Sequence, residues 1–230
     1  MTTRKDFIAA GAALAALPGV AAAAPAPHPS PSHRPIPKLS FDLPAFDAIL
    51  ERTVPHKHLF TAREFSSGDV FTAVRSTLNA YASIDVPAAQ VAPITVFYHG
   101  PAIAFGFDDY AWRTFFLPYI AATKSSVKFA DDAKSIVEKD TNGNPMLRKQ
   151  SGEWDGSIPT LVAQANLHMF VCNNALGGFS DAIGAHLKRD PSTVYEDLRA
   201  HLLPSATLVP AGVWAIHYAQ QKGYTLLQTS

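Results

Sequence analysis

Short runs of β-branched and aromatic residues alternate along this chain with longer segments whose apolar positions fall three and four apart. The run Ile94 to Tyr98, ITVFY, is β-branched or aromatic throughout and carries no charge, as in a strand covered on both faces. His99-Gly100-Pro101 follows it, and glycine and proline end a regular ladder. Asp69 to Ser83 sets Val70, Phe71, Val74, Leu78 and Tyr81 on one side of a helix, after the punctuation Ser66-Ser67-Gly68. A strand is also predicted to begin over Lys57 to Phe60. Others are predicted at Leu167 to Cys172, at Ala206 to Val209 between Pro204 and Pro210, and at Tyr224 to Leu227. Helices are predicted at Asp108 to Ala122, Ile158 to Ala165, and Val213 to Lys222, the last stopped by Gly223.

This alternation predicts an α/β fold, a mostly parallel sheet with helices on both faces, because right-handed crossovers lay each helix over the sheet. Two segments depart from the repeat. Lys124 to Gly156 is polar, contains Asn142-Gly143 and Gly152, and reads as an inserted hairpin or loop. Asp190 to Leu203 reads as an extra amphipathic helix opened by Pro191-Ser192.

The N-terminal end does not follow the globular pattern. Residues 1–24 have a short polar start, a weakly apolar Ala- and Gly-rich stretch, and small residues Ala21-Ala22-Ala23 suited to cleavage, so they read as an export leader to the periplasm. Thr3-Arg4-Lys5-Asp6-Phe7-Ile8 resembles a twin-arginine motif with Lys5 at the second arginine. The stretch is interrupted by Pro18 and too weakly apolar for a stable membrane span. Residues 25–40 are a proline-rich tether, and residues 41–230 form the predicted domain, with the polar insertion at about 124–156.

With 230 residues, 47% of them hydrophobic, the chain can bury a core without disulfides or a metal. Nineteen basic and nineteen acidic residues cancel, which argues against nucleic acid as a partner. His28, His33, His56 and His58 are too sparse to form a metal arm. Asp140, Asn142 and Asn144 hint at a calcium loop, but the turn glycine is missing and Ser151 stands where a glutamate belongs. No metal and no cofactor are predicted: G-x-G-x-x-G, Walker, G-x-S-x-G and C-x-x-C motifs are all absent.

The single cysteine, Cys172, ends a predicted strand. In an open parallel sheet, ligands gather beyond the strand carboxyl ends. A helix starting at Asn173 and Asn174, both good capping residues, would lower the thiol pKa and make a nucleophile. The alternative is a small buried apolar group, the usual fate of a free cysteine. His99 lies at the corresponding end of the ITVFY strand, where its imidazole would serve as proton acceptor beside the thiol, as a ligand beside the thiolate for copper or zinc, for which no third ligand is indicated, or as a strand cap bonded to backbone. His168 is read as a packed strand residue.

The blocks VFYHGPAI (Val96 to Ile103), FVCNNAL (Phe170 to Leu176) and LLPSATLVPAGVWAIHYAQQKGYTLLQ (Leu202 to Gln228) resemble those of the DsrE/DsrF-like family. The resemblance spans roughly residues 56 to 230, apart from the insertion. It implies a compact three-layer α/β sandwich, often trimeric or hexameric, whose sulfur-handling members carry persulfide on a cysteine after a central strand. Here only Cys172 matches that position, so it is the implied catalytic residue. His99, Gly100 and Pro101 match a recurrent loop of exported members to which no chemistry is assigned, and together with Asn173 and Asn174, whose amides would stabilise the thiolate, they are the expected binding residues. The implied partners are a small sulfur species or a sulfur-relay protein. The other expectation is a non-catalytic module that binds a small ligand or a protein in the same place.

Overall fold

Five strands form one sheet in the order β4-β3-β2-β1-β5, and every neighbouring pair is parallel. They are β1 (His56–Ala62), β2 (Val91–Phe97), β3 (His168–Cys172), β4 (Ala206–Val209) and β5 (Thr225–Gln228). The computed structural model describes residues 39–64, 68–123, 142–149 and 155–229, all within the unit Pro35–Ser230. The predicted leader, nearly all of the tether, Ser66-Ser67, and most of the insertion, including Asp140 and Ser151, lie outside the described residues.

Adjacent residues along each strand feed opposite faces, as a pleated strand requires. Phe60, Phe97, Met169, Val171 and Leu208 enter one core with α2 (Asp69–Ala82), the other crossover helices and the Gly100–Gly106 turn. Leu59, Val96, Phe170 and Val209 enter a second core on the other face. Helices therefore cover both faces, and the predicted α/β class is the observed one.

β2 is buried at every position, but it begins at Val91, three residues before the expected start. Its pairing with β1 starts at Val91, whereas β3 joins only at Ile94. Pro93 thus lies ahead of the β3 ladder, which explains how a residue without an N–H fits in a central strand.

The predicted helix over Asp108 to Ala122 is present but not uniform. Asp108 caps it by accepting the Ala111 N–H at 2.9 Å. A short turn, α3 (Asp109–Ala111), then runs through a π-helical turn at Trp112–Phe116 into α4 (Leu117–Ala122), with the Leu117 N–H donating to the Trp112 carbonyl. Pro118 lacks an N–H and its ring crowds the carbonyl four residues earlier; a widened turn relieves both.

Helix α5 (Ile158–Ala165) has the predicted bounds, and α7 (Pro191–Ala200) is the predicted extra helix, capped by Asp190. Between them β3 passes directly into α6 (Asn173–Leu187). The last helix, α8 (Gly212–Gln221), begins one residue before the predicted start.

The periodicity analysis did not assign α1 (Leu43–Leu50), which is too short to be stable alone. Asp42 caps it through the Ala45 N–H at 3.0 Å, and Phe46 and Leu50 are fully buried. Each such side chain contributes about 1.5–3 kcal/mol, so burial against α8 holds the helix. Phe46 stacks on Trp214 at 5.4 Å. Lys222 bridges Asp47 at 3.0 Å and Glu51 at 2.7 Å. The Lys222 and Tyr218 hydrogen bonds hold the Asp47 carboxyl below its ordinary pKa.

Connectivity positions the site. The crossovers from β1 to β2, β2 to β3, and β3 to β4 pack on the first face, while α8 lies on the second and carries the chain from β4 at one edge to β5 at the other. At the carboxyl ends of β3 and β4, the outgoing helices leave toward opposite faces. That divergence opens a crevice, the topological switch point of an open parallel sheet.

Candidate functional site

The crevice between β3 and β4 is an open cleft of about 360 Å³. Three strand ends build it. β2 supplies Tyr98, His99 and Gly100; β3 and the first turns of α6 supply Cys172, Asn174, Ala175, Gly178 and Phe179; β4 and α8 supply Ala211, Gly212 and Val213. β2 and β3 are neighbours, so the sheet brings His99 and Cys172 to one cleft.

Two close approaches set its floor. A methyl at Gly212 would fall 2.5 Å from Tyr98 Cα and 3.2 Å from Cys172 Cβ. Only glycine lets α8 start this near the end of β2. Gly100 has φ of +54°, and a side chain there would meet the Arg63 carbonyl at 2.8 Å. The loop after β2 is thereby drawn against the end of β1.

Cys172 is the last residue of β3 and the cap of α6, a helix of 15 residues. Its Sγ accepts the Ala175 N–H at 3.4 Å. The residue is only 4% exposed but lies on the cleft wall. It is mostly buried, and it borders an opening. The sulfur lies where a helix's first amides and dipole favour negative charge.

The other predicted residues divide. Asn174 and His99 are exposed and border the cleft. The His99 side chain does not cap the turn Gly100–Gly106 that follows it. Asn173 is not at the cleft. It is 3% exposed and turned into the core, where Oδ1 accepts the Tyr195 hydroxyl at 2.5 Å. The amide on the sulfur belongs to Ala175, because a capping side chain reaches the second or third amide of its helix. Pro101 is buried in the turn Gly100–Gly106 and does not line the cleft.

His168 is a half-buried strand residue; burial, and then the Arg52 charge, pull its pKa below 6.5. Asn144, from the suggested calcium loop, is fully buried and donates to the Phe105 and Phe107 carbonyls at 3.2 and 2.7 Å. Among the described residues, no three His, Cys, Asp or Glu side chains gather as a metal site. No helix among them is long and apolar enough to cross a membrane.

The residue reading did not assign Tyr98, Phe179, Ala211, Gly212 or Val213 to the site. The usable signal was Pro210-Ala211-Gly212 directly after the ATLV run, a glycine where a strand hands over to a helix.

No family model matches the chain, and no curated protein matches it. Among solved structures, it is similar to a protein of unknown function, MTH1491, from Methanobacterium thermoautotrophicum. The TM-score is 0.33 and the identity 13%, over 76% of this chain and 99% of that one. The likeness to the DsrE/DsrF-like family therefore rests on the three sequence blocks alone.

Proposed function

We propose that this protein accepts a sulfane sulfur on Cys172 within the β3–β4 cleft and passes it on, as a sulfur carrier working in the periplasm. The observation that supports this most is the position of Sγ, capping α6 through the Ala175 N–H while bordering an open cleft. Helix amides and the helix dipole stabilise a thiolate there. The thiolate attacks the outer sulfur of a thiosulfate- or thiosulfonate-type donor. A new S–S bond forms at Cys172, the donor's S–S bond breaks, and sulfite or a sulfinate departs with the electron pair. An acceptor thiolate then attacks the outer sulfur of the Cys172 persulfide: a new S–S bond forms on the acceptor, the S–S bond to Cys172 breaks, Cys172 leaves as its thiolate and the acceptor carries the persulfide. His99, exposed at the cleft, is the proton acceptor for the resting thiol. A sulfur-relay protein as acceptor, and a trimeric or hexameric assembly, belong to the same proposal.

Intact mass of the purified protein after incubation with thiosulfate, and separately with a thiosulfonate, tests the reading. The expected result is a gain of one sulfur atom, removed by reductant and absent in Cys172→Ala. No gain in the parent protein from either donor overturns it.

The 4% exposure of Cys172 and its bond to Ala175 favour a second reading, a non-catalytic ligand-binding module in which the thiol is a structural cap. Labelling by a small thiol reagent only after denaturation supports that reading; labelling of the folded protein supports the carrier.

A further inference from the structure

Among the described residues, the cleft wall carries no lysine, arginine, aspartate or glutamate. Its lining includes the aromatic or aliphatic residues Tyr98, Phe179, Ala175, Ala211 and Val213. Val213 is 55% exposed, an uncovered apolar side chain at the lip. Gly178 keeps one wall open, since a methyl there would meet nothing within 4 Å.

These features discriminate between donors. Thiosulfate is a small, strongly hydrated dianion, and stripping its water requires fixed cations or many hydrogen bonds. None of the described cleft residues is a fixed cation. At roughly 30 Å³ per water, a cleft of about 360 Å³ would keep most of its water around so small an ion. Pockets that enclose organic ligands start at about 300 Å³ and are mostly apolar.

The polar recognition that is available lies at one end. The first intrahelical bond of α8 runs from the Ala215 N–H to the Ala211 carbonyl, and Ala211 provides no side-chain cap. The earlier amides of that turn have no intrahelical acceptor, and such groups favour anionic oxygens.

We propose that the donor selected by this cleft is an organic monoanion with a compact apolar body and a terminal sulfane sulfur, of the arylthiosulfonate class, in preference to inorganic thiosulfate. The inference rests on the carrier reading and gives it a substrate class. The aryl body lies against Tyr98, Phe179 and Val213, the sulfonyl oxygens face the first turn of α8, and the outer sulfur meets Cys172. Thiolate attack on that sulfur forms the Cys172 perthiolate and releases the arenesulfinate with the electron pair of the broken S–S bond.

The test compares second-order rates of perthiolate formation from benzenethiosulfonate and from thiosulfate, followed by intact mass. The aryl donor is expected to react faster by about tenfold or more, the usual worth of apolar groups in a fitted pocket. Gly178→Leu fills the open wall and is expected to collapse the ratio toward one, while its thermal unfolding reports that the fold is kept. Equal rates in the parent protein overturn the substrate class and leave the carrier reading standing. If neither donor delivers sulfur, the carrier reading falls and the class is judged by benzenesulfinate binding in calorimetry. Saturable binding that Gly178→Leu abolishes supports the apolar-anion site, and its absence overturns it.

Discussion

The Tyr195 hydroxyl donates to Asn173 Oδ1 at 2.5 Å in the core between α7 and α6, one residue beyond the cysteine that borders the cleft. This bond turns Asn173 away from solvent and anchors the start of α6, so the helix offers its Ala175 amide to Sγ from a held position. Burial pushes the Tyr195 phenol up from its ordinary pKa, so it stays a neutral donor. Tyr195→Phe is expected to lower stability by about 1–2 kcal/mol, because a buried acceptor loses its partner. Urea denaturation with an unchanged m-value is the measurement.

Two glycines on the cleft wall are expected to respond with opposite signs. A methyl at Gly212 collides with Tyr98 backbone at 2.5 Å, and backbone cannot yield as a flexible side chain does. Gly212→Ala is expected to cost about 1–3 kcal/mol, the range for overpacking. Gly178 lies inside α6 with open space around its missing side chain. Gly178→Ala is expected to stabilise by up to about 1 kcal/mol. Chemical denaturation of the two variants checks both signs.

Asn144 satisfies three groups at once: it donates to the Phe105 and Phe107 carbonyls and accepts the Met146 N–H. Asn144→Leu removes all three bonds, and a loss of about 2 kcal/mol or more is expected. Because Phe105 and Phe107 flank the end of the turn that starts at Gly100, the variant is also expected to loosen the β2 side of the cleft. Faster labelling of Cys172 by a thiol reagent would report that.

His58 and His168 both have pKa values below the ordinary 6.5, chiefly through burial, with His56 adding to the first and Arg52 to the second. Burial disfavours the charged form of both rings in the folded protein, and His58 Nε2 lies 2.8 Å from the Tyr81 hydroxyl. As pH falls through about 6.5 the unfolded chain takes up these protons first, so stability declines from neutral pH toward the lowered values. His168→Gln is expected to flatten part of that decline. Denaturation midpoints recorded from about pH 7.5 to 5.5 test it, and a slope equal to that of the parent would remove His168 from the account.

The bounds of α5 and β4 were legible from the chain because they depend on close neighbours. Caps, prolines and the spacing of apolar residues act over a single turn or a few strand positions. α1 was missed because its eight residues carry too little periodicity to stand out, and its stability comes from Phe46 meeting Trp214 and Phe170 from distant parts of the chain. The π turn before Pro118 is a local effect that helical periodicity does not register, since an added residue shifts the repeat without abolishing the helix.

Cys172 at a strand end, and a helix opening directly after it, were properties of the linear chain. The cleft was not. That α8 would cross to the opposite face, start against Tyr98 and complete the wall with Ala211, Gly212 and Val213 depends on the order in which parallel strands pair. Pairing order is set by burial on both faces of the sheet at once, a balance of contacts between residues far apart in sequence. The same balance turned Asn173 inward and left Asn174 at the surface. The sequence alone determined where chemistry was available, and tertiary packing decided which of those groups face a common opening.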